Sequence, residues 1–463
     1  MSDHVRYRFP DASTRRDALS WNPVERAPLG EVRRLQEHKL ARQMSYLGQR
    51  SDFYRERFAA ANIAFDDIRT VEELQKIPFT TKTDIRESLA AAAPFGRHLA
   101  ADRNDIVQMQ ASSGTTGSPS YVALTENDAA QWHEMTARCL FANGVRPGDL
   151  VLHAFSMAKG FVGGVPVMQA VQYMGAVDVP VGADGGVDRL LRACADTRPR
   201  AVVGAPNFVL HLAERAEEII GRPASTLGLE RIVVGGEPGG GIPAIRARIE
   251  AAWGARCTEL LGGTDIGVAY WAECDNQSGM HMVAMDHIIT ELYDAASDAI
   301  IPFTEGARGE LIYTALGREA SPLVRFRSGD IADVLGTTCS CGRTGPKIRC
   351  VGRADDMLIV RGANVFPSAI QSIVGDMVPE TNGVMRVVAD FEGHTTQAAL
   401  KVIVERGPGR SPDADAELKR LVETRLRDAL VFRADVRIVP ADTFEKPGVA
   451  KVALTLRKEP SLL

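Results

Sequence analysis

The chain has 463 residues, of which 45% are hydrophobic, with 54 basic against 59 acidic side chains and a formal net charge of −5. That length allows about two or three domains and a sizeable core, and the near-balanced charge excludes a general nucleic-acid footprint, so the expected partners are small molecules, with no nucleic acid and no membrane. Seven scattered cysteines (Cys139, Cys194, Cys257, Cys274, Cys339, Cys341 and Cys350) and a polar start without a signal-peptide core argue against a disulfide framework and for a reducing, cytoplasmic setting.

In chain order, residues 30–100 read as helices with an Arg/Glu-rich surface. Residues 106–110 and 121–124 read as strands, joined by Ser112-Ser113-Gly114-Thr115-Thr116-Gly117-Ser118-Pro119. Hydroxyls and exposed backbone N–H groups suit a polyphosphate. The loop joins strand to strand and lacks Gly-Lys-Ser/Thr, which excludes the usual Walker loop; the same composition also makes an ordinary flexible turn. Thr125 can cap a helix running to about Asn143. Residues 150–155 follow as a buried strand. Residues 161–177 carry no charge and read as a buried helix, short of the ~20 apolar residues of a membrane span. Strands at 176–179, 201–204 and 231–234 then alternate with helices near Leu190, at 207–218 and at 243–253. Such alternation predicts a parallel sheet covered on both faces.

From Asp286 to Leu335 the helical pattern vanishes, and segments such as residues 309–314 predict an antiparallel or barrel-like subregion. After about Arg353 come a strand at 357–360, a helix from Pro367, strands at 384–389 and 398–404, a charged helix at 414–430 and a strand at 436–439. The expected fold class is α/β: a large N-terminal domain (1–353) with α/β sheets plus a β-rich subregion, and a small α+β C-terminal domain (354–463).

Four motifs follow the hydroxyl loop. They are Gly235-Gly236-Glu237-Pro238, Leu261-Gly262-Gly263-Thr264-Asp265, Arg325-Phe326-Arg327-Ser328-Gly329-Asp330, and the run from Gly352-Arg353 through Asp355 to Arg361-Gly362-Ala363-Asn364-Val365-Phe366-Pro367. In this order they resemble the adenylate-forming superfamily of acyl-CoA synthetases, and most closely the phenylacetate–CoA ligase family, whose mark is the run from Asp355 to Pro367. The resemblance covers nearly the whole chain from about residue 30. It implies a two-step reaction with ATP, Mg2+ and coenzyme A. A carboxylate attacks the α-phosphate to give acyl-AMP and pyrophosphate, and the thiol of CoA then displaces AMP. Two rivals stand beside it: an adenylating enzyme with an amine or carrier-protein acceptor, and a non-catalytic nucleotide-binding sensor.

The resemblance also implies roles. Ser113, Thr115 and Thr116, with Gly114 and Gly117, hold the β- and γ-phosphates; Ser118 stands where the family usually has lysine. Gly236, Glu237 and Pro238 line the adenine pocket, beside Leu261 in place of the usual tyrosine. Gly262 belongs to the nucleotide-binding set, Thr264 contacts the α-phosphate, and Asp265 replaces the usual Glu as Mg2+ ligand. Asp330 accepts the ribose hydroxyls and Arg353 binds near ribose and phosphate. Asp355 marks the hinge of the mobile C-terminal domain, and Gly362 lines the pantetheine path, where close approach requires glycine. The adenylation lysine is Lys446, with Lys451 as the alternative.

Cys274, His281, Cys339 and Cys341 have the chemistry of a closed tetrahedral Zn2+ site, which the resemblance implies as structural; the other reading is four separate reduced side chains. His287 is a weaker ligand candidate, and Cys139 and Cys194 are expected in the core. His153, Phe155 and Met157 sit where the acyl pocket of this superfamily begins. An aryl or arylacetic acid is implied, with a small aliphatic or hydroxy acid as the alternative. A homodimer is left open.

Overall fold

The computed structural model describes residues 18–112, 120–158, 160–444 and 453–458. Three helices open it, Leu29–Arg50, Asp52–Ala60 and Lys82–Ala91. The last begins with a reciprocal cap: the Thr81 hydroxyl accepts the Asp84 amide, and the Asp84 carboxylate accepts the Thr81 amide. Strands β1 (Ile106–Ala111) and β2 (Tyr121–Thr125) pair antiparallel, the expected hairpin around the hydroxyl loop. Thr125 then caps Glu126–Ala142 in the same reciprocal way with Asp128, and the helix ends at Asn143, as its cap residue predicts.

Five strands follow: β3 (Leu150–His153), β4 (Val177–Val179), β5 (Ala201–Gly204), β6 (Arg231–Val234) and β7 (Arg256–Gly263). They run parallel in the order β4-β3-β5-β6-β7. Successive side chains of a strand point to opposite faces. Val151, Val203 and Val233 accordingly enter one core with helix Glu126–Ala142, while Leu152, Val202 and Ile232 enter another under helices Val187–Thr197, Pro206–Ile220 and Pro243–Trp253. The helix expected over 161–177 is shorter, Val165–Tyr173. Proline is tolerated only in a first turn, so Pro166 fixes its start, and the chain turns at Gly175 into β4.

β7 also pairs antiparallel with β8 (Gly267–Glu273), and β9 (Met280–Met282), β10 (Ile288–Asp294), β11 (Ala299–Ile301), β12 (Arg308–Ala315), β13 (Phe326–Gly336) and β14 (Lys347–Arg353) extend it. The full order is β11-β10-β12-β13-β14-β9-β8-β7-β6-β5-β3-β4. The β-rich subregion is therefore the antiparallel arm of one twelve-stranded sheet, and it begins at β7 rather than near residue 286. β8 is buried at every position, so no alternation marked it.

The C-terminal part builds sheets of its own. β15 (Leu358–Val360), β16 (Ala363–Val365), β17 (Thr381–Val388), β18 (Thr395–Thr396), β19 (Leu400–Arg406), β20 (Ala434–Val439) and β21 (Thr455–Leu456) form the orders β16-β15-β18 and β20-β19-β17-β21. Helices Pro367–Gly375 and Asp415–Leu430 close over them. Ile370, Val387, Val402, Leu418 and Leu426 share a separate core there. Among the described residues no helix is long and apolar enough to cross a membrane.

Candidate active site

In open parallel sheets ligands gather at the carboxyl ends of the strands. The loops after β3, β5, β6 and β7 all leave that edge, and β13 and β14 bring Asp330 and Arg353 to the antiparallel side as register partners.

After β6 comes Gly235-Gly236-Glu237-Pro238. The Glu237 carboxylate accepts the Asn207 amide (3.2 Å) and its side-chain Nδ2 (3.0 Å). It therefore anchors the loop to the positive end of helix Pro206–Ile220. Behind the loop, buried Glu259 of β7 accepts the amides of Gly241 and Gly239. The Glu259 amide donates in turn to Glu273 Oε2 (3.0 Å), and Glu273 is gripped by both Arg246 Nη2 contacts, at 2.6 and 2.7 Å. Burial first and the Glu273 charge second push Glu259 up to about 7.

β7 turns into β8 through Gly262-Gly263-Thr264-Asp265. A Cβ on Gly262 would lie 1.8 Å from the Val268 carbonyl oxygen, so only glycine fits. The buried Arg318 guanidinium, over the Trp132 ring at 5.0 Å, donates to the Ile266 carbonyl (2.7 Å) and braces the turn. Both Asp265 oxygens meet Lys82 Nζ, at 2.6 and 2.8 Å. Burial pushes neighbouring His98 down to about 4, and its ring lies 2.7 Å from Ser88 Oγ. Sequence reasoning missed Lys82 and Arg318. For Lys82 a signal existed, the Thr81–Asp84 cap that sets it in a first helical turn. For Arg318 there was none.

Arg353 joins two motif carboxylates. Its Nη1 contacts Asp330 Oδ1 (3.2 Å) and the Ser328 carbonyl (3.2 Å), and its Nε donates to Asp355 Oδ1 (2.8 Å). Gly362 has a φ of +86°, and among the described residues, its chain neighbours aside, no atom lies within 4 Å of where its Cβ would sit. Its glycine follows locally from this left-handed backbone, with open space beside it.

The rings of His153 and Phe155, two of the expected acyl-pocket residues, meet edge-on with centroids 6.2 Å apart. His153 is fully buried, with Nδ1 3.1 Å from Asp178 Oδ1 and Nε2 2.8 Å from the Gly163 carbonyl, so both ring nitrogens serve the fold and His153 is no pocket wall. Phe155 packs edge-on to Phe161, centroids 6.2 Å apart, and its Cε1 lies 3.8 Å from the Cβ position of Gly236. The turn carrying Met157 is held by Asp184, which accepts the Ser156 hydroxyl (2.9 Å) and the Met157 amide (2.7 Å). Ser113, Gly114, Thr115, Thr116, Gly117 and Ser118 lie outside the described residues, as do Lys446 and Lys451.

Cys274, His281, Cys339 and Cys341 come together with ligand atoms all within 4.8 Å of one another. Cys274 Sγ lies 3.7 Å from Cys339 Sγ, and Cys341 Sγ 3.6 Å from His281 Nε2. Zinc bonds of ~2.3 Å to sulfur and ~2.1 Å to nitrogen give tetrahedral edges of roughly 3.7 Å and 3.6 Å, so the residues fit that ion. His287 instead faces Asp286 and Arg138, while Cys139 and Cys194 are buried core residues.

Residues 56–315 match the family model for AMP-binding enzymes. A phenylacetate-coenzyme A ligase of Thermus thermophilus is 34% identical over 437 residues, 92% of this chain and 95% of the relative. A crystal structure of 2-hydroxyisobutyryl-CoA ligase in its post-adenylation state with 2-HIB-AMP has a TM-score of 0.88 at 27% identity, covering 98% of this chain and 94% of that one. The same ligase in its thioesterification state, with 2-HIB-AMP and CoA, has a TM-score of 0.70 at 28% identity, covering 97% and 94%.

Proposed function

We infer that this chain, which belongs to the AMP-binding enzyme family and to its phenylacetate–CoA ligase branch, activates a carboxylic acid with ATP and passes the acyl group to CoA. It is an AMP-forming acid–CoA ligase for an aryl or a small hydroxy acid. The observation that carries this reading is the match, over 98% of the chain, to a ligase holding its own acyl-adenylate.

The chemistry divides in two. A carboxylate repels nucleophiles and its oxygen leaves poorly; as the mixed anhydride with AMP it does neither. In the first step the residues must position a carboxylate against the α-phosphate and offset charge on the phosphates. Asp330 accepts the ribose hydroxyls, held in place by Arg353. The backbone of Gly236 to Pro238 faces adenine, since the Glu237 side chain is engaged by Asn207. Gly262 shapes the turn from which Thr264 addresses the α-phosphate. Lys82, beside it, brings positive charge to a site where the hydroxyl loop carries Ser118. Ser113, Thr115 and Thr116, with Gly114 and Gly117, take the outer phosphates, and Lys446 rather than Lys451 reaches the acid and α-phosphate. Phe155 and Met157 bound the acid. Asp265 suits Mg2+, which is commonly held by one or two carboxylates together with substrate phosphates and screens their charge.

In the second step the unit from residue 354 onward turns about Asp355 and presents Gly362 to the pantetheine arm. Zn2+ held by Cys274, His281, Cys339 and Cys341 ties β8, β9 and the 339–341 turn, a structural contribution.

The test is a panel of aryl, arylacetic, short aliphatic and hydroxy acids, read by pyrophosphate release with ATP and by product mass with and without CoA. A CoA thioester of at least one acid is expected. Failure of every acid on the panel to support pyrophosphate release would favour a nucleotide sensor. An amide, or an acylated carrier in place of a thioester, would favour another acceptor.

A further inference from the structure

The C-terminal unit meets the nucleotide half at helix Pro243–Trp253 as well as at β14, where the Ser368 hydroxyl donates to the Val351 carbonyl. At the end of helix Pro367–Gly375, a Cβ on Gly375 would lie 3.4 Å from the Ala244 Cβ, so the two helices meet with almost no side chain between them. Ala244 and Arg248 are four residues apart and share a helix face. Arg248 reaches the Thr381-Asn382-Gly383 turn, where its Nη1 fills the space of the absent Gly383 side chain, 2.6 Å from the position of a Cβ. Gly383 has a φ of +79°. The turn is held from within: the Thr381 hydroxyl donates to the Val374 carbonyl (2.7 Å) and accepts the Gly383 amide (3.2 Å). The notch is therefore a fixed backbone feature. Arg248 also pairs with Glu214 of helix Pro206–Ile220 at 3.8 Å. Partial burial lowers its pKa against the opposing pull of Glu214.

We propose that Arg248 is a positioning residue for adenylate formation: seated in the Gly383 notch, it holds the C-terminal unit in the arrangement that serves the first half-reaction and leaves the notch before the thioester step. The proposal rests on the ligase reading above. Its support is the pair of TM-scores, 0.88 to the post-adenylation state and 0.70 to the thioesterification state of one relative at nearly equal coverage. Arg248 touches Glu214 and the Gly383 turn, so its effect is on where the unit sits and not on the chemistry of either step.

The experiment separates the half-reactions. Pyrophosphate release from acid and ATP without CoA reports the first, and thioester formation from supplied acyl-adenylate and CoA reports the second. In Arg248→Ala the first should fall about tenfold while the second stays within about twofold of wild type. Gly383→Ala, which fills the notch from the other side, should give the same split, and Arg248→Lys should recover part of the loss. A merely structural role would lower both half-reactions together. Equal losses, or no loss in either variant, would overturn the proposal. A wild-type protein that makes neither product would overturn the ligase reading itself.

Discussion

Replacing Glu259 by glutamine tests the buried wall behind the nucleotide loop. Glu259 and Glu273 share a single guanidinium, Arg246, and it bonds Glu273. The proton therefore belongs to Glu259, which burial and the Glu273 charge raise from an ordinary 4.5 to about 7. Below pH 4.5 the folded and unfolded chains both hold this proton, and the group costs nothing. Between pH 4.5 and 7 the unfolded chain loses it while the folded chain keeps it, so stability falls as pH rises. Above about 7 the folded chain carries the full cost. A shift of this size corresponds to about 3 kcal/mol. Glutamine has no such titration. It also offers one acceptor oxygen where the carboxylate offers two, a loss that is constant with pH. Urea unfolding of both proteins from pH 4.5 to 8.5 should show the variant gaining on wild type by about 3 kcal/mol across that window. A difference that stays flat over the range would mean that Glu259 is ionised throughout, and the charge accounting behind β7 would be wrong.

Lys82→Met removes the cation on Asp265. The pair is partly exposed, 28% and 17%, and as a pair is worth only about 1 kcal/mol. Acting on phosphate charge, it should still lower kcat/KM for ATP about tenfold in pyrophosphate release; an unchanged value would remove Lys82 from the site. Gly262→Ala drives a Cβ onto the Val268 carbonyl and should cost more than about 3 kcal/mol, seen as a collapsed melting temperature. A normal melt would show that the β7–β8 turn is softer than its geometry. Elemental analysis should find zinc near one per chain, lost in Cys341→Ser with a lower melting temperature. Metal-stripped protein that melts like the zinc-loaded wild type would contradict the structural ion.

How much of this was legible depended on sequence distance. Local chemistry read well: the Thr125 cap, the hairpin around Ser112–Pro119 and the parallel strands each need only a few neighbouring residues. The Cys/His cluster was legible as ligand types. What closes it is register, since β9 pairs with both β8 and β14, setting His281 opposite Ala272 and Lys347. The bond from Lys82 to Asp265 spans 183 positions and follows from where β7 turns into β8, which no local pattern records. β8 hid because complete burial erases the period of a strand. His153 was misplaced for a related reason. A histidine at a strand end points either into the cleft or between sheet and helix, and its neighbours in sequence do not say which; Asp178, on the adjacent strand, does.

The contacts between the two halves divide by strength in a way that suits a moving part. Arg353 bonds Asp330, which is mostly buried, and Asp355, where both partners are about half exposed at 46% and 57%. An exposed pair contributes roughly 0.2–1 kcal/mol, so Arg353 links the proposed ribose acceptor to the proposed pivot without fixing the pivot. Arg248 at the Gly383 turn adds a further contact between the halves, beside the Ser368 hydroxyl on the Val351 carbonyl. A ligand's differential affinity for two arrangements need favour one by only about 1.4 kcal/mol for a tenfold change in population. Ile370, Val387 and Leu426 give the C-terminal part a core of its own, which suits the proposed turning of that unit as a rigid body.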